Sequence, residues 1–262
     1  MSVVLIDERI VHYEVLGRGR PVIFLHGWVG SWRYWVPAMQ SAAIAYRAYA
    51  LDLWGFGDTA HDASLYALEQ QVNLLDRFLQ ELGIIKIALV GHGLGAVVGA
   101  LFAQRLPAMV DRMMLVGCPL ENEAVNGRLR SAPPAELTDW LLKKDELAEP
   151  ARVDALKADV MAMRVSFEAL NTLNILTLIS SLRTPCLLVY GEGDPAVIPP
   201  SEERAAIFPS HVHQIVLENA GHFPMLDESP RFNRLLTDFL ALESGDSPRQ
   251  LQLKEEWKRR VR

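Results

Sequence analysis

The stretch IIKIALVGHGLGAVVGALFAQR, residues 84–105, decides the fold of this chain. Its first half, Ile84 to Val90, is an apolar run typical of a buried strand, and the small residues of AVVGALFAQR predict a helix. The glycines of GHGLG, residues 91–95, mark the turn between them. The segment therefore predicts a strand, a tight turn and a helix, with Gly93 at the centre of the turn.

Strands and helices alternate on both sides of this turn. Residues 9–15 alternate in polarity as a half-exposed strand does, residues 21–25 form an apolar run, and we expect residues 17–20 to join them as a hairpin. Apolar residues at helical spacing follow in residues 65–82 and stop at Gly83. This alternation predicts an α/β fold with a mostly parallel central sheet of about eight strands and helices on both faces.

One region interrupts the alternation. Residues 118–183 contain several helical patterns, a Pro133-Pro134 stop and no convincing strand. An insertion that follows a sheet strand lies over the strand ends, where open α/β sheets bind ligands. We therefore expect a helical cap over a core made of residues 1–117 and 184–243, while the basic pattern of residues 244–262 predicts a C-terminal tail with a helix.

The composition excludes several classes of function. The chain has 262 residues, of which 50% are hydrophobic, and a net charge of −6, which fits a soluble globular protein and argues against nucleic-acid binding. The first residues lack the basic start of a signal peptide, and no run reaches about 18 apolar residues. We expect a cytoplasmic protein without a transmembrane segment. A homodimer remains an open alternative to a monomer.

Two polar residues follow later strands of the predicted sheet. Asp194 comes after CLLVYG, and His222 comes after HQIVLEN. Because the carboxyl ends of parallel strands meet at one edge, we expect both side chains beside Gly93. Acyl transfer needs a nucleophile, a base, a carboxylate that orients the base, and donors for the oxyanion. Asp194 could instead form a turn, His222 could be a loop histidine, and Glu192 is a second candidate for the acid.

Five motifs in this order resemble the α/β-hydrolase superfamily, in its capped serine-hydrolase subgroup of carboxylesterase type. They are HGWVGS (26–31), DLWGFG (52–57), GHGLG (91–95), GEGDPAV (191–197) and AGHFPMLDESP (220–230). Each motif is weak alone, but five in the right order at strand ends are specific. The resemblance covers about residues 9–242. It departs from the family at one point, because the serine nucleophile of Gly-x-Ser-x-Gly is replaced by Gly93.

The resemblance implies roles for further residues. Backbone N–H groups of Trp28 and Leu94 would form the oxyanion hole, and the positive end of the helix that begins at Leu94 would favour negative charge there. Trp28 would line the substrate pocket. Because the insertion lies over the strand ends, we expect Trp140 and Phe167 of the cap to line it as well, although both could instead pack the cap helices together. His26 would organise its loop. Neither a cofactor nor a metal ion is expected.

The resemblance also gives Gly93 a physical meaning. The nucleophile position of such a turn has a strained, positive φ, and glycine relieves that strain while it removes the attacking oxygen. We expect hydrolysis of small apolar esters, lactones or acyl compounds to be lost or very slow. Gly93 then marks either an inactivating substitution or a natural non-hydrolytic protein. A ligand-binding protein, a lyase or isomerase driven by His222, and a carbon–carbon hydrolase remain alternatives.

Overall fold

The computed structural model describes residues 2–251, and one sheet of eight strands runs through them. In chain order the strands are β1 (Ser2–Ile6), β2 (Arg9–Gly17), β3 (Arg20–Leu25), β4 (Tyr46–Leu51), β5 (Ile87–His92), β6 (Val110–Val116), β7 (Cys186–Gly191) and β8 (Val212–Leu217). Across the sheet they lie in the order β1-β2-β4-β3-β5-β6-β7-β8. In this order across the sheet, the six strands β4-β3-β5-β6-β7-β8 are parallel, whereas β2 runs antiparallel to both of its neighbours. The predicted mostly parallel sheet of about eight strands is confirmed.

The predicted hairpin between residues 9–15 and 21–25 is wrong. Strand β4 pairs with both β2 and β3 and therefore lies between them. The connection passes tightly across the start of β4, since a Cβ on Gly17 would lie 2.4 Å from the Tyr46 carbonyl oxygen. Parallel pairing on both sides places β3 inside the sheet, which explains its apolar sequence.

Eleven α-helices are present in residues 2–251. They are α1 (Val36–Ala42), α2 (Leu68–Glu81), α3 (Leu94–Arg105), α4 (Gly127–Ser131), α5 (Pro134–Leu141), α6 (Glu149–Ala155), α7 (Val160–Leu170), α8 (Ile175–Ser181), α9 (Glu202–Ala206), α10 (Pro224–Asp227) and α11 (Ser229–Ala241). Helix α1 packs against α11, and α2 packs against α3, so the helices surround the sheet. Among residues 2–251, no helix combines the length and hydrophobicity needed to cross a bilayer.

Helices α4 to α8 form the region between β6 and β7, which we call the insertion (residues 118–183). Side chains of Asn126, Asp159 and Asn174 accept hydrogen bonds from backbone N–H groups at the starts of α4, α7 and α8. Pro134 is the first residue of α5. These local signals account for the helices of the insertion. Its status as a separate cap domain stays a prediction. The predicted C-terminal tail spans residues 244–262, and its residues 252–262 lie outside the described part of the chain.

Candidate active site

Gly93 forms the turn between β5 and α3. Its φ is +48° and its ψ is −109°, a conformation that favours glycine, and it occupies the N-cap position of α3. The predicted positive φ is confirmed. The flanking glycines allow close packing, since a Cβ on Gly95 would lie 2.4 Å from the Leu25 carbonyl oxygen and one on Gly91 would lie 2.4 Å from that of Gly95. The turn therefore lies directly against the end of β3.

Asp194 and His222 meet in a buried hydrogen-bonded pair. They follow the parallel neighbours β7 and β8, and His222 Nδ1 lies 2.9 Å from Asp194 Oδ2 and 3.1 Å from Oδ1. Both side chains are 1% exposed. Glu192, the second candidate for the acid, is exposed. The structure therefore pairs Asp194, rather than Glu192, with the histidine.

The surroundings of Asp194 keep its carboxylate ionised. Burial raises the pKa of Asp194, but the neighbouring His222 and the backbone N–H groups of Ala196 and Val197 hold this pKa below its ordinary value of 3.8. These two N–H groups donate to Oδ1 over 2.8 and 3.2 Å. Because an ionised carboxylate only accepts, His222 Nδ1 donates to Asp194, and Nε2 is the ring nitrogen left to act as a base.

His92 and Tyr34 support this pair from the side of the turn. The backbone N–H of Gly27 donates to the Tyr34 hydroxyl over 2.5 Å, and that hydroxyl is hydrogen-bonded to His92 Nδ1 over 2.9 Å. The His92 ring lies 4.7 Å from the His222 ring, centroid to centroid. Burial lowers the pKa of His92 well below its ordinary value of 6.5, and the neighbouring His222 lowers it further. His92, next to Gly93 in the turn, is therefore neutral, and its ring packs against the ring of His222. Nothing in the sequence pattern identified Tyr34 as its partner.

The indole of Trp28 lies directly over Gly93. A Cβ built on Gly93 would lie 3.1 Å from each of two ring carbons of Trp28, Cε3 and Cζ3. The same indole stacks on Phe167 with a centroid distance of 4.4 Å and an interplanar angle of 19°. The structure thus brings the predicted residues Trp28, Phe167 and Gly93 together. The Arg128 guanidinium lies over the Trp140 ring, 4.9 Å from its centre, and a place for Trp140 in the pocket stays a prediction.

Polar contacts connect the insertion to the loop that carries Trp28. The Asp154 carboxylate of α6 accepts hydrogen bonds from Ser31 Oγ over 2.7 Å and from Arg33 Nε over 2.6 Å. Burial raises the pKa of Asp154, but Ser31, Lys157 and Arg33 hold this pKa below 3.8. A second ion pair joins Lys143 to Asp227, next to the His222 loop, over 2.7 Å. The insertion therefore contacts two of the loops that form the site.

Three potential metal ligands, His12, Asp52 and Asp58, lie at the end of β4 and offer atoms within 4.8 Å of one another. The oxygens of Asp52 already accept from the backbone N–H groups of Trp32 and Asp58 over 2.9 and 3.1 Å, and His12 Nδ1 lies 2.8 Å from Oδ2. Burial lowers the pKa of His12, but Asp52, Asp58 and Glu14 raise it to a net value above 6.5. Hydrogen bonds within the protein therefore account for the Asp52 carboxylate, and a metal-free protein stays a prediction.

A parallel sheet with a glycine turn before a helix, and a histidine–carboxylate pair at the same edge, defines the hydrolase class of α/β folds. Residues 22–235 match the model of the "Alpha/beta hydrolase family". The chain belongs to this family.

Known proteins are similar to this chain over most of its length. The 2-hydroxy-6-oxo-2,4-heptadienoate hydrolase of Pseudomonas putida is 30% identical over 257 residues, which cover 87% of this chain and 91% of that protein. A serine-to-alanine mutant of the meta-cleavage product hydrolase CumD from Pseudomonas fluorescens IP01, solved with acetates, has a TM-score of 0.76 at 23% identity and covers 92% of this chain and 97% of its own.

A second solved structure is a serine-to-glycine mutant of the N-acyl homoserine lactonase AidH in complex with N-hexanoyl homoserine lactone. It has a TM-score of 0.75 at 22% identity and covers 91% of this chain and 96% of its own. At this level of identity both structures show that the fold is shared.

Proposed function

We propose that this chain is an α/β-hydrolase for carboxylic esters or related acyl compounds in which Gly93 stands at the nucleophile position, so that hydrolysis is lost or very slow. The observation that carries the proposal is the Gly93 turn. Its φ of +48° at the start of α3, at the same sheet edge as the His222–Asp194 pair, is the arrangement expected of a nucleophile turn.

The remaining residues supply the other functions that acyl transfer needs. Asp194 orients His222, and His222 Nε2 acts as the base. The backbone N–H groups of Trp28 and Leu94 stabilise the oxyanion. Leu94 is the first residue of α3, where a backbone N–H has no acceptor within the helix. None of these functions depends on a side chain at position 93.

The similar proteins support a small ester, lactone or acyl compound as the ligand. The AidH mutant has glycine in place of a serine and is named as a complex with an acyl lactone. The Pseudomonas putida relative is named as a hydrolase of 2-hydroxy-6-oxo-2,4-heptadienoate. That name favours carbon–carbon bond hydrolysis as the second candidate function. A cytoplasmic location is part of the same proposal.

Two further functions are consistent with an intact base. A His222-driven lyase or isomerase would use Nε2 to remove a proton from a substrate carbon, and its turnover would vanish in His222→Ala. A non-hydrolytic binding protein would retain its ligand in the same variant. Both differ from the main proposal, which predicts a gain of activity when a hydroxyl is introduced at position 93.

The experiment is pre-steady-state hydrolysis of 4-nitrophenyl acetate by Gly93→Ser. The introduced oxygen attacks the carbonyl carbon, His222 accepts its proton, and 4-nitrophenolate leaves, so we expect a burst of one equivalent per active site. Gly93→Ala is the matched control because it adds the Cβ without the hydroxyl. The burst should also disappear in Gly93→Ser/His222→Ala. A folded Gly93→Ser without a burst on any short ester, even when space is made beside position 93, contradicts the proposal.

A further inference from the structure

The side chain of Trp28 lies next to Gly93, the position to which a reacting acyl group would be attached. We propose that Trp28 is the residue that determines acyl size at this site: its indole, held by the insertion, admits only the smallest acyl groups next to position 93. This inference rests on the proposed function, because it concerns the selectivity of that same site. It assigns to the side chain a role separate from that of the backbone N–H.

The contact with Gly93 shows how little space remains. A Cβ at position 93 would lie 3.1 Å from both Cε3 and Cζ3 of Trp28, whereas ordinary contacts begin at 3.4 Å. Even one carbon at position 93 therefore requires the ring to shift by a few tenths of an ångström. An acyl chain bound to a nucleophile at this position extends beyond that carbon, so it meets the indole first.

Two contacts of the indole, and one that fixes its partner Ser166, hold the ring in place. Trp28 Nε1 donates to Ser166 Oγ over 2.8 Å, and Ser166 Oγ donates in turn to the Met163 carbonyl oxygen over 2.7 Å. The third contact is the stack on Phe167. Ser166 and Phe167 both belong to α7, and Trp28 is 0% exposed. The ring can therefore leave its position only when α7 moves.

Helix α7 is itself held against the core. The Asp159 backbone N–H at its start donates to the Gly55 carbonyl oxygen over 2.8 Å, and the Tyr66 hydroxyl donates to Asp159 Oδ2 over 2.7 Å. The Arg130 guanidinium lies 5.7 Å from the centre of the Phe167 ring. Helix α7 is fixed at its start by Asp159 and further along by the contact of Arg130 with Phe167. The indole that binds to it is therefore restrained in its position.

The test uses the Gly93→Ser background and three esters of increasing length: 4-nitrophenyl acetate, butyrate and hexanoate. We expect Gly93→Ser to acylate with acetate and to discriminate against hexanoate. Adding Trp28→Ala should raise the acylation rate on hexanoate by about 10- to 200-fold, the range for a misfit of one methylene in an apolar pocket. The change should be small for acetate, because acetate does not reach beyond the indole.

Two further variants make the result interpretable. Trp32→Ala removes another indole from the same loop, so it should leave the acyl preference of Gly93→Ser unchanged. Trp28→Leu keeps an apolar side chain if Trp28→Ala does not fold, and it should shift the preference in the same direction. If the ratio of the acylation rates on hexanoate and acetate is the same with and without Trp28, the size-selection proposal is overturned. The proposed function then still stands. A lack of acylation by every ester in both folded backgrounds overturns the proposed function itself.

Discussion

Addition of a methyl group at Gly93 should destabilise the fold through two separable effects. Gly93→Ala places a Cβ on a backbone with φ of +48° and ψ of −109°, which costs about 1–3 kcal/mol of strain. It also places that Cβ 3.1 Å from two carbons of Trp28. Since Ser166 and Phe167 restrain the indole, we expect a further overpacking cost of about 1–3 kcal/mol.

A double-mutant cycle separates these two effects. In the parent chain, Gly93→Ala should lower the unfolding free energy by about 2–6 kcal/mol, the sum of both effects. In the Trp28→Ala background only the strain of about 1–3 kcal/mol remains. The coupling energy is therefore about 1–3 kcal/mol, measured from urea unfolding of the four proteins by circular dichroism. Equal costs of Gly93→Ala in both backgrounds would refute the contact between Gly93 and the indole.

Three other predictions test contacts of the same region. Ser166→Ala leaves the buried indole N–H without an acceptor and should lower the unfolding free energy by about 1–3 kcal/mol, whereas a neutral result in urea unfolding would argue against this hydrogen bond. Asp154→Asn should lower the unfolding free energy by about 1–3 kcal/mol at neutral pH. Solvent screening reduces this loss, because the partner Arg33 is more than a third exposed. Because the folded-state pKa of Asp154 lies below 3.8, this loss should be constant above about pH 5 and shrink as the pH falls through that pKa; a loss that is independent of pH would contradict it. His12 has a folded-state pKa above 6.5, so its charge stabilises the fold below pH 6.5, and this contribution is lost as the pH rises through the raised pKa. Unfolding of His12→Asn across that range should show a deficit that is largest on the acidic side, and a deficit largest at alkaline pH would exclude the ion pair with Asp52.

The site shows which features were accessible from the sequence. Asp194 and His222 could be paired because each follows an apolar run, and parallel strands bring their carboxyl ends together. The positive φ of Gly93 follows from the tight turn between a strand and a helix. These inferences use only local patterns and the geometry of a parallel sheet.

Other features depend on contacts between distant segments. The hydrogen bond from Trp28 to Ser166 joins residues 138 positions apart, and no periodicity indicates which face of α7 meets the core. The hairpin error has the same origin, because β4 enters between β2 and β3 from a later part of the chain. The contact of Arg128 with the Trp140 ring likewise could not be inferred from the sequence pattern of the insertion.

The buried surroundings of Trp28 also bear on the origin of Gly93. In the described structure glycine is the residue that fits beneath this indole without displacement, and the insertion holds the indole in place through Ser166. The glycine at position 93 and the indole of Trp28 therefore pack together without a clash. For acyl groups larger than acetyl, reintroduction of a nucleophile is expected to work best when both positions are changed together.

The most direct test of the account is covalent labelling of Gly93→Ser/Trp28→Ala with diisopropyl fluorophosphate, followed by peptide mass spectrometry. The introduced hydroxyl oxygen should form a bond to phosphorus, fluoride should leave, and His222 should accept the proton. The account predicts one phosphoryl adduct, located at position 93, and no adduct at that position in the parent chain or in Gly93→Ala/Trp28→Ala. A folded double variant that remains unlabelled at position 93 would contradict the claim that this turn is the nucleophile turn of a hydrolase.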